Sequence, residues 1–248
     1  MQPKSETLFH FTKNLSFLKD ILKNGFWPRY CLEDANWYNS EVENFCIAYP
    51  MVCFCDIPLS RVDEHVNFYG NYGIGVSRHW AEANDLSPVI YIRQDSKQLK
   101  ALDRLIENNI DNQHYEGAAD DINVLLANIK PTEGQMYVSD NFVAKEFYQE
   151  NEWRYSPVGS NKDAEIRPWL LEEEYRKKVT LDEENSKSKK ASSLKILPPD
   201  IKYLFVKTDN DIPNLVNYIQ SELDEYPSHD VKILLSRIIS LETISRDL

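Results

Sequence analysis

The chain has 248 residues, 42% of them hydrophobic and 12% aromatic, and carries a formal net charge of −12. That supply of apolar side chains can build a core and excludes disorder of the whole chain. The acidic balance excludes broad nucleic-acid coating and polybasic membrane binding, which both need excess Lys and Arg, and no stretch approaches the roughly 20 apolar residues of a membrane span.

In chain order, Thr7-Leu8-Phe9-His10-Phe11 reads as a short strand, because bulky side chains favour a pleated surface. Leu15, Leu18 and Leu22 recur at helical spacing, with Thr12 or Asn14 as N-cap and Gly25 as the stop. His10 therefore sits at a strand end just before a helix, where side chains commonly meet ligands. From about Phe26 to Pro50 the pattern is irregular. Trp27, Tyr30, Trp37, Tyr38, Phe45 and Tyr49 mix there with Glu33, Asp34, Glu41 and Glu43, as expected of a lid or a surface loop packed on the core.

Met51 to Pro58 is expected as a second strand, stopped by Pro58, and Ser60 to Phe68 as a helix. Tyr69 to Ser77 turns into a third strand, Arg78 to Ala83 into a helix, and Pro88 to Arg93 into a fourth strand. Helices are expected over Ser96 to Asn108 and Ala118 to Ile129, a weak strand over Gln135 to Val138, and a helix over Asp140 to Gln149 from the spacing of Phe142, Val143, Phe147 and Tyr148. In Asn151-Glu152-Trp153-Arg154-Tyr155-Ser156, alternation puts Glu152 and Arg154 on one strand face. The stretch near 181–193 is rich in Glu, Lys and Ser without an apolar pattern and is expected to be a mobile loop. Tyr203 to Val206 is a strand, and helices over about Asp211 to Leu223 and His229 to Ile239 end the chain. The expectation is a single domain over 1–248 of mixed α+β class.

The four cysteines, Cys31, Cys46, Cys53 and Cys55, lack the paired spacing of a zinc site and read as free thiols. Together with an N-terminus that has no apolar signal core, they suggest a cytoplasmic protein without a bound metal. There is no Gly-x-Ser-x-Gly elbow, no phosphate-binding glycine loop and no His-Glu-x-x-His helix. Asp120-Asp121 reads as a solvated helix start.

What remains is His10, Tyr69, Tyr72, Glu152 and Arg154. Each also has a plain reading: a satisfied edge histidine, two core-edge aromatics, and a same-face surface ion pair worth less than about 1 kcal/mol.

Their order suggests more. Leu8 to Thr12 with the helix that follows resembles the opening of ADP-ribosyltransferase-like folds. Tyr72-Gly73-Ile74-Gly75-Val76-Ser77 followed by Trp80-Ala81 resembles the second core motif of that fold, and Glu152-Trp153-Arg154 its late-strand glutamate. The whole pattern, carried by Leu8 to Thr12, Val52 to Pro58, Tyr69 to Trp80 and Glu152 to Tyr155, resembles the AbiGi family of abortive phage-resistance proteins. In one respect the chain departs from the transferase pattern: the middle tyrosine's position falls on Gly75 or its neighbours, with Tyr72 just upstream.

The resemblance implies a split mixed sheet flanked by helices and an NAD-dependent toxin in phage defence. Glu152 would then be catalytic, stabilising an oxocarbenium-like centre, and NAD would be the substrate. His10 and Thr12 would hold it, Tyr69 or Tyr72 would stack on nicotinamide, and Arg154 would steady Glu152 or meet the pyrophosphate. The acceptor would be a protein or a nucleic acid. The family is also described as an antitoxin, which implies the alternative: a non-catalytic antitoxin or interaction protein with a cognate toxin as partner.

Overall fold

The structure, a computed structural model, describes residues 6–37, 45–111, 117–138, 141–159 and 166–247. Its backbone forms two compact units, each assembled from separate chain segments. The first comprises Met1–Phe26, Cys53–Ser87 and Leu194–Leu248, and the second Trp27–Val52 and Pro88–Ser193.

In the first unit, the bulky run forms the strand Thr7–Thr12. It lies antiparallel beside Tyr72–Ser77, with Phe9 opposite Gly75 and Phe11 opposite Gly73. The glycines are there for the rings. A Cβ on Gly73 would stand 2.5 Å from the Phe11 ring, and one on Gly75 would stand 3.0 Å from the Phe9 ring. The aromatic side chains thus cross onto a neighbouring strand that offers no side chain of its own. Ile201–Val206 pairs antiparallel with the far edge of Tyr72–Ser77 and parallel with Ile238–Ser240, so the sheet is mixed.

Phe9, Phe11, Phe205, Ile57, Val62 and Val66 form a core cluster on one face of this sheet, each large side chain contributing about 1.5–3 kcal/mol of burial. The helix Leu15–Asn24 buries Leu18, Ile21 and Leu22 and ends at Gly25, whose φ is +77°. A Cβ at Gly25 would lie 2.2 Å from the Leu194 carbonyl oxygen. The Ser77 hydroxyl caps Arg78–Ala83 by accepting the Trp80 N–H at 3.2 Å. The last expected helix is shorter than its spacing suggests: Ser228–Leu235 is helical, and the β-branched Ile238 and Ile239 enter the parallel edge strand.

The second unit corrects three expectations. The stretch taken as irregular contains the strand Arg29–Asp34, paired antiparallel with Cys46–Cys55 from Arg29↔Met51 to Asp34↔Cys46. Tyr38, Glu41 and Glu43 lie outside the described residues. Leu170–Leu171 pairs with the same long strand.

The stretch expected as a helix near 140–149 is the strand Asn141–Lys145, in a hairpin with Gly134–Val138, and then a 3-10 turn, Phe147–Glu150. Asp140 is outside the described residues. The stretch expected as a mobile loop is the helix Lys178–Ser192. Its inner face is polar: Glu184, Ser188 and Ser192, four residues apart, are buried. The Ser188 hydroxyl donates to the Pro28 carbonyl at 2.8 Å, and Asn185 Oδ1 accepts the Tyr30 N–H at 3.0 Å. Parallel strands Ile90–Ile92 and Ile129–Pro131 and the helices Lys97–Asp111 and Ala118–Ala127 complete the unit.

The fold class is therefore mixed α+β. Among the described residues, no helix is long and apolar enough to cross a membrane.

Candidate functional site

The sequence-derived site residues divide between the two units. His10, Thr12, Tyr69 and Tyr72 belong to the first, and Glu152 and Arg154 to the second.

In the first unit, Thr12 lies directly opposite Tyr72 on adjacent strands. The Thr12 hydroxyl donates to the Asn14 carbonyl at 3.2 Å, within its own turn. The His10 ring is on the other sheet face from Phe9 and Phe11. Its Nδ1 meets the Cys53 carbonyl oxygen at 2.8 Å, which makes that nitrogen the protonated donor. Phe26 and Phe54 hold the ring, with centroids 5.3 and 5.5 Å away. Tyr69 closes the helix Val62–Tyr69 and stacks on His65 at 4.4 Å. The Tyr72 hydroxyl donates to Asp211 Oδ2 at 3.4 Å, and burial together with that carboxylate raises its pKa.

In the second unit, the alternation of Glu152–Tyr155 brings Glu152 and Arg154 together as expected, but inside the protein. Glu152 is 5% exposed and Arg154 1%. Buried charges need partners, and the fold gathers them from four segments. Arg154 Nε donates to Glu152 Oε1 at 3.0 Å. Its terminal nitrogens grip both oxygens of Glu33 at 3.0 and 2.8 Å and the Ala127 carbonyl at 2.7 Å.

Lys130 Nζ sits 2.9 Å from Glu152 Oε2, 3.2 Å from Glu150 Oε2 and 3.5 Å from Glu33 Oε1. It also lies 4.4 Å from the centre of the Phe147 ring, a cation–π distance. Lys145 pairs with the other oxygen of Glu150. Among the described residues, Glu33, Glu150 and Glu152 thus face Lys130, Lys145 and Arg154, opposite charges in equal number. Burial alone would raise the Glu150 carboxyl, but Lys130 and Lys145 hold it below the ordinary carboxylate range. The backbone at Glu152 is pinned as well: its N–H donates to the Tyr91 hydroxyl at 2.9 Å, and its carbonyl accepts from Val89 N–H at 2.9 Å. Burial drives the Tyr91 pKa upward, so the hydroxyl stays protonated.

Glu33, Lys130, Lys145 and Glu150 were not legible as members of this cluster, since they are distant in sequence. The available signal was indirect: two charges on one face of a strand flanked by Trp153 and Tyr155 implied buried partners. Chemically, the arrangement ties the strands that carry Glu33, Lys130, Lys145 and Glu152 and the 3-10 turn that carries Glu150 to one another with charge-assisted bonds. Among the described residues, no group of three or more His, Cys, Asp and Glu side chains is placed to hold a metal ion.

Comparison with known proteins adds the following. A family profile described as "Putative abortive phage resistance protein AbiGi, antitoxin" matches residues 24–207. A protein of Lactococcus lactis subsp. cremoris, named abortive phage resistance protein AbiGi, is 28% identical over 257 aligned positions, spanning 90% of this chain and 99% of that protein. No solved structure matches the chain.

Proposed function

Because the chain belongs to the AbiGi family of abortive phage resistance proteins, we propose that it serves there as a non-catalytic antitoxin, binding a toxin protein and holding it inactive. The observation that carries this reading is the state of Glu152. A carboxylate that stabilises a reacting centre has to face the substrate. Here one oxygen is engaged by Arg154, the other by Lys130, and the side chain is buried within its own unit. That is the environment of a structural ion pair.

The family description, with its word antitoxin, supports the same reading. The net charge of −12 suits a basic toxin surface, because complementary fields speed encounter and suppress wrong partners.

The transferase reading is the second one. It is favoured by the direct adjacency of the His10 strand and the Tyr72 strand, which sets Thr12 beside Tyr72. In that reading the fold is ADP-ribosyltransferase-like, NAD is the substrate, and Glu152 performs the chemistry with His10, Thr12, Tyr69, Tyr72 and Arg154 holding the dinucleotide.

Nicotinamide release from labelled NAD separates the two. The antitoxin reading expects none from the purified protein, together with co-elution of the protein and the neighbouring gene's product on size exclusion. Steady nicotinamide release that disappears in a folded Glu152→Gln variant would overturn it in favour of the transferase.

A further inference from the structure

A second feature of the Trp27–Val52, Pro88–Ser193 unit lies outside the ion cluster. The strands Ile90–Ile92 and Ile129–Pro131 run parallel, with Ile92 in register with Pro131. They finish side by side, and Thr132 N–H donates back to the Ile92 carbonyl at 3.1 Å. The chain then turns through Arg93 to Ser96 and starts the helix Lys97–Asp111. The carboxyl ends of adjacent parallel strands are where open α/β sheets collect ligands, because connecting loops diverge there and leave a crevice.

Such a crevice is present. A cavity of about 560 Å³ opens at this point, lined by Tyr91, Ile92, Arg93, Ser96, Lys97 and Thr132 among others. Its volume falls within the range of about 300–1,000 Å³ common for small-molecule sites.

The chemistry of the lining is selective. In a chain of net charge −12, Arg93 and Lys97 both face this cavity, and among the described residues neither has an ion-pair partner. Ser96 is 6% exposed. Its oxygen accepts the Leu99 N–H at 3.1 Å and so caps the helix. Its hydroxyl proton remains available as a donor at the cavity wall. Two cations, a buried hydroxyl donor and the Thr132 hydroxyl suit an anion with several acceptor oxygens.

The lining also includes apolar surface that is already fixed. Ile92 is buried, and the Tyr91 ring is held by its hydroxyl at the Glu152 N–H and edge-on against Tyr148 at 5.5 Å. An anion with a flat organic part attached matches this mixed lining.

We infer that this cavity binds a small organic phosphate of the nucleotide class. Arg93, Lys97 and the Ser96 hydroxyl hold the phosphate, and Tyr91 and Ile92 hold the organic moiety. The inference does not depend on the antitoxin reading, and an antitoxin with this site would carry a ligand-responsive surface in the unit that contains the ion cluster.

Calorimetric titration of the full chain with AMP, inorganic phosphate and adenosine tests it. AMP should bind saturably, inorganic phosphate more weakly, and adenosine not measurably, and AMP binding should weaken as salt is raised. Arg93→Gln with Lys97→Gln should weaken AMP about tenfold or more. Ser96→Asp, which keeps the cap acceptor but adds a negative charge, should abolish binding. The inference is overturned by any of three results: no saturable heat from AMP at millimolar concentration, equal binding of adenosine and AMP, or unchanged AMP affinity in the Arg93/Lys97 variant.

Discussion

Arg154→Met is the perturbation that reports most on the buried cluster. Arg154 is 1% exposed and holds Glu33 through two bonds, Glu152 through its Nε, and the Ala127 carbonyl. Methionine replaces most of the volume, so the cavity term is small. What remains is electrostatic. Glu33 then relies on the Lys130 contact at 3.5 Å, and Glu152 loses its Arg154 bonds while keeping the Lys130 contact at 2.9 Å. Breaking a buried pair by removing one partner costs about 3–5 kcal/mol, and the orphaned Ala127 carbonyl adds about 1 kcal/mol. A loss of about 4–6 kcal/mol is a large share of a typical stability of about 5–15 kcal/mol. Urea unfolding followed by circular dichroism measures it. Adding Glu33→Gln to Arg154→Met should recover part of the loss, because one unpaired buried charge is then gone. If Arg154→Met stays within about 1 kcal/mol of the parent, the cluster is solvated and the structural assignment of Glu152 is refuted.

Two further outcomes follow from the geometry. Gly75→Ala should destabilise the first unit by about 1–3 kcal/mol through overpacking, since its Cβ would lie 2.9 Å from the Thr7 side chain and 3.1 Å from Tyr203 Cβ; an unmoved thermal midpoint would contradict this. Glu150 gives a pH dependence. Its folded-state pKa is depressed below its unfolded value, so the folded state binds fewer protons between the two. The stabilisation is complete above the unfolded value, about 4.3, and is lost as pH falls through the folded one. Glu150→Gln should therefore flatten the acid limb of stability against pH below about 4, measured by denaturant midpoints; an unchanged acid limb would show that Glu150 does not carry it.

How much of this was legible depends on whether a signal was local. The Thr7–Thr12 strand was readable because bulky residues and the helix after it are contiguous. The shared face of Glu152 and Arg154 was readable from period-two alternation alone. Their burial was not, because it depends on Glu33, Lys130 and Glu150 arriving from other segments. The helix Lys178–Ser192 escaped because hydrophobic periodicity looks for an apolar stripe, and this helix buries a stripe of Glu184, Ser188 and Ser192, with the Ser188 hydroxyl bonded to the Pro28 carbonyl and one Glu184 oxygen to Lys187. The Asn141–Lys145 strand escaped for the opposite reason: Phe142, Val143, Phe147 and Tyr148 mimic helical spacing, while cross-strand pairing with Gly134–Val138 decides the outcome. Gly75, read as a departure from a tyrosine-bearing motif, has a local cause, since Phe9 occupies the space above it.

The central claim is that the protein restrains a toxin and does not act as one, and growth on induction tests it most directly. Cells expressing the chain alone should grow normally, and co-expression should restore growth to cells arrested by the neighbouring gene's product. Growth arrest by the chain alone, relieved by a soluble and folded Glu152→Gln variant, would contradict the account.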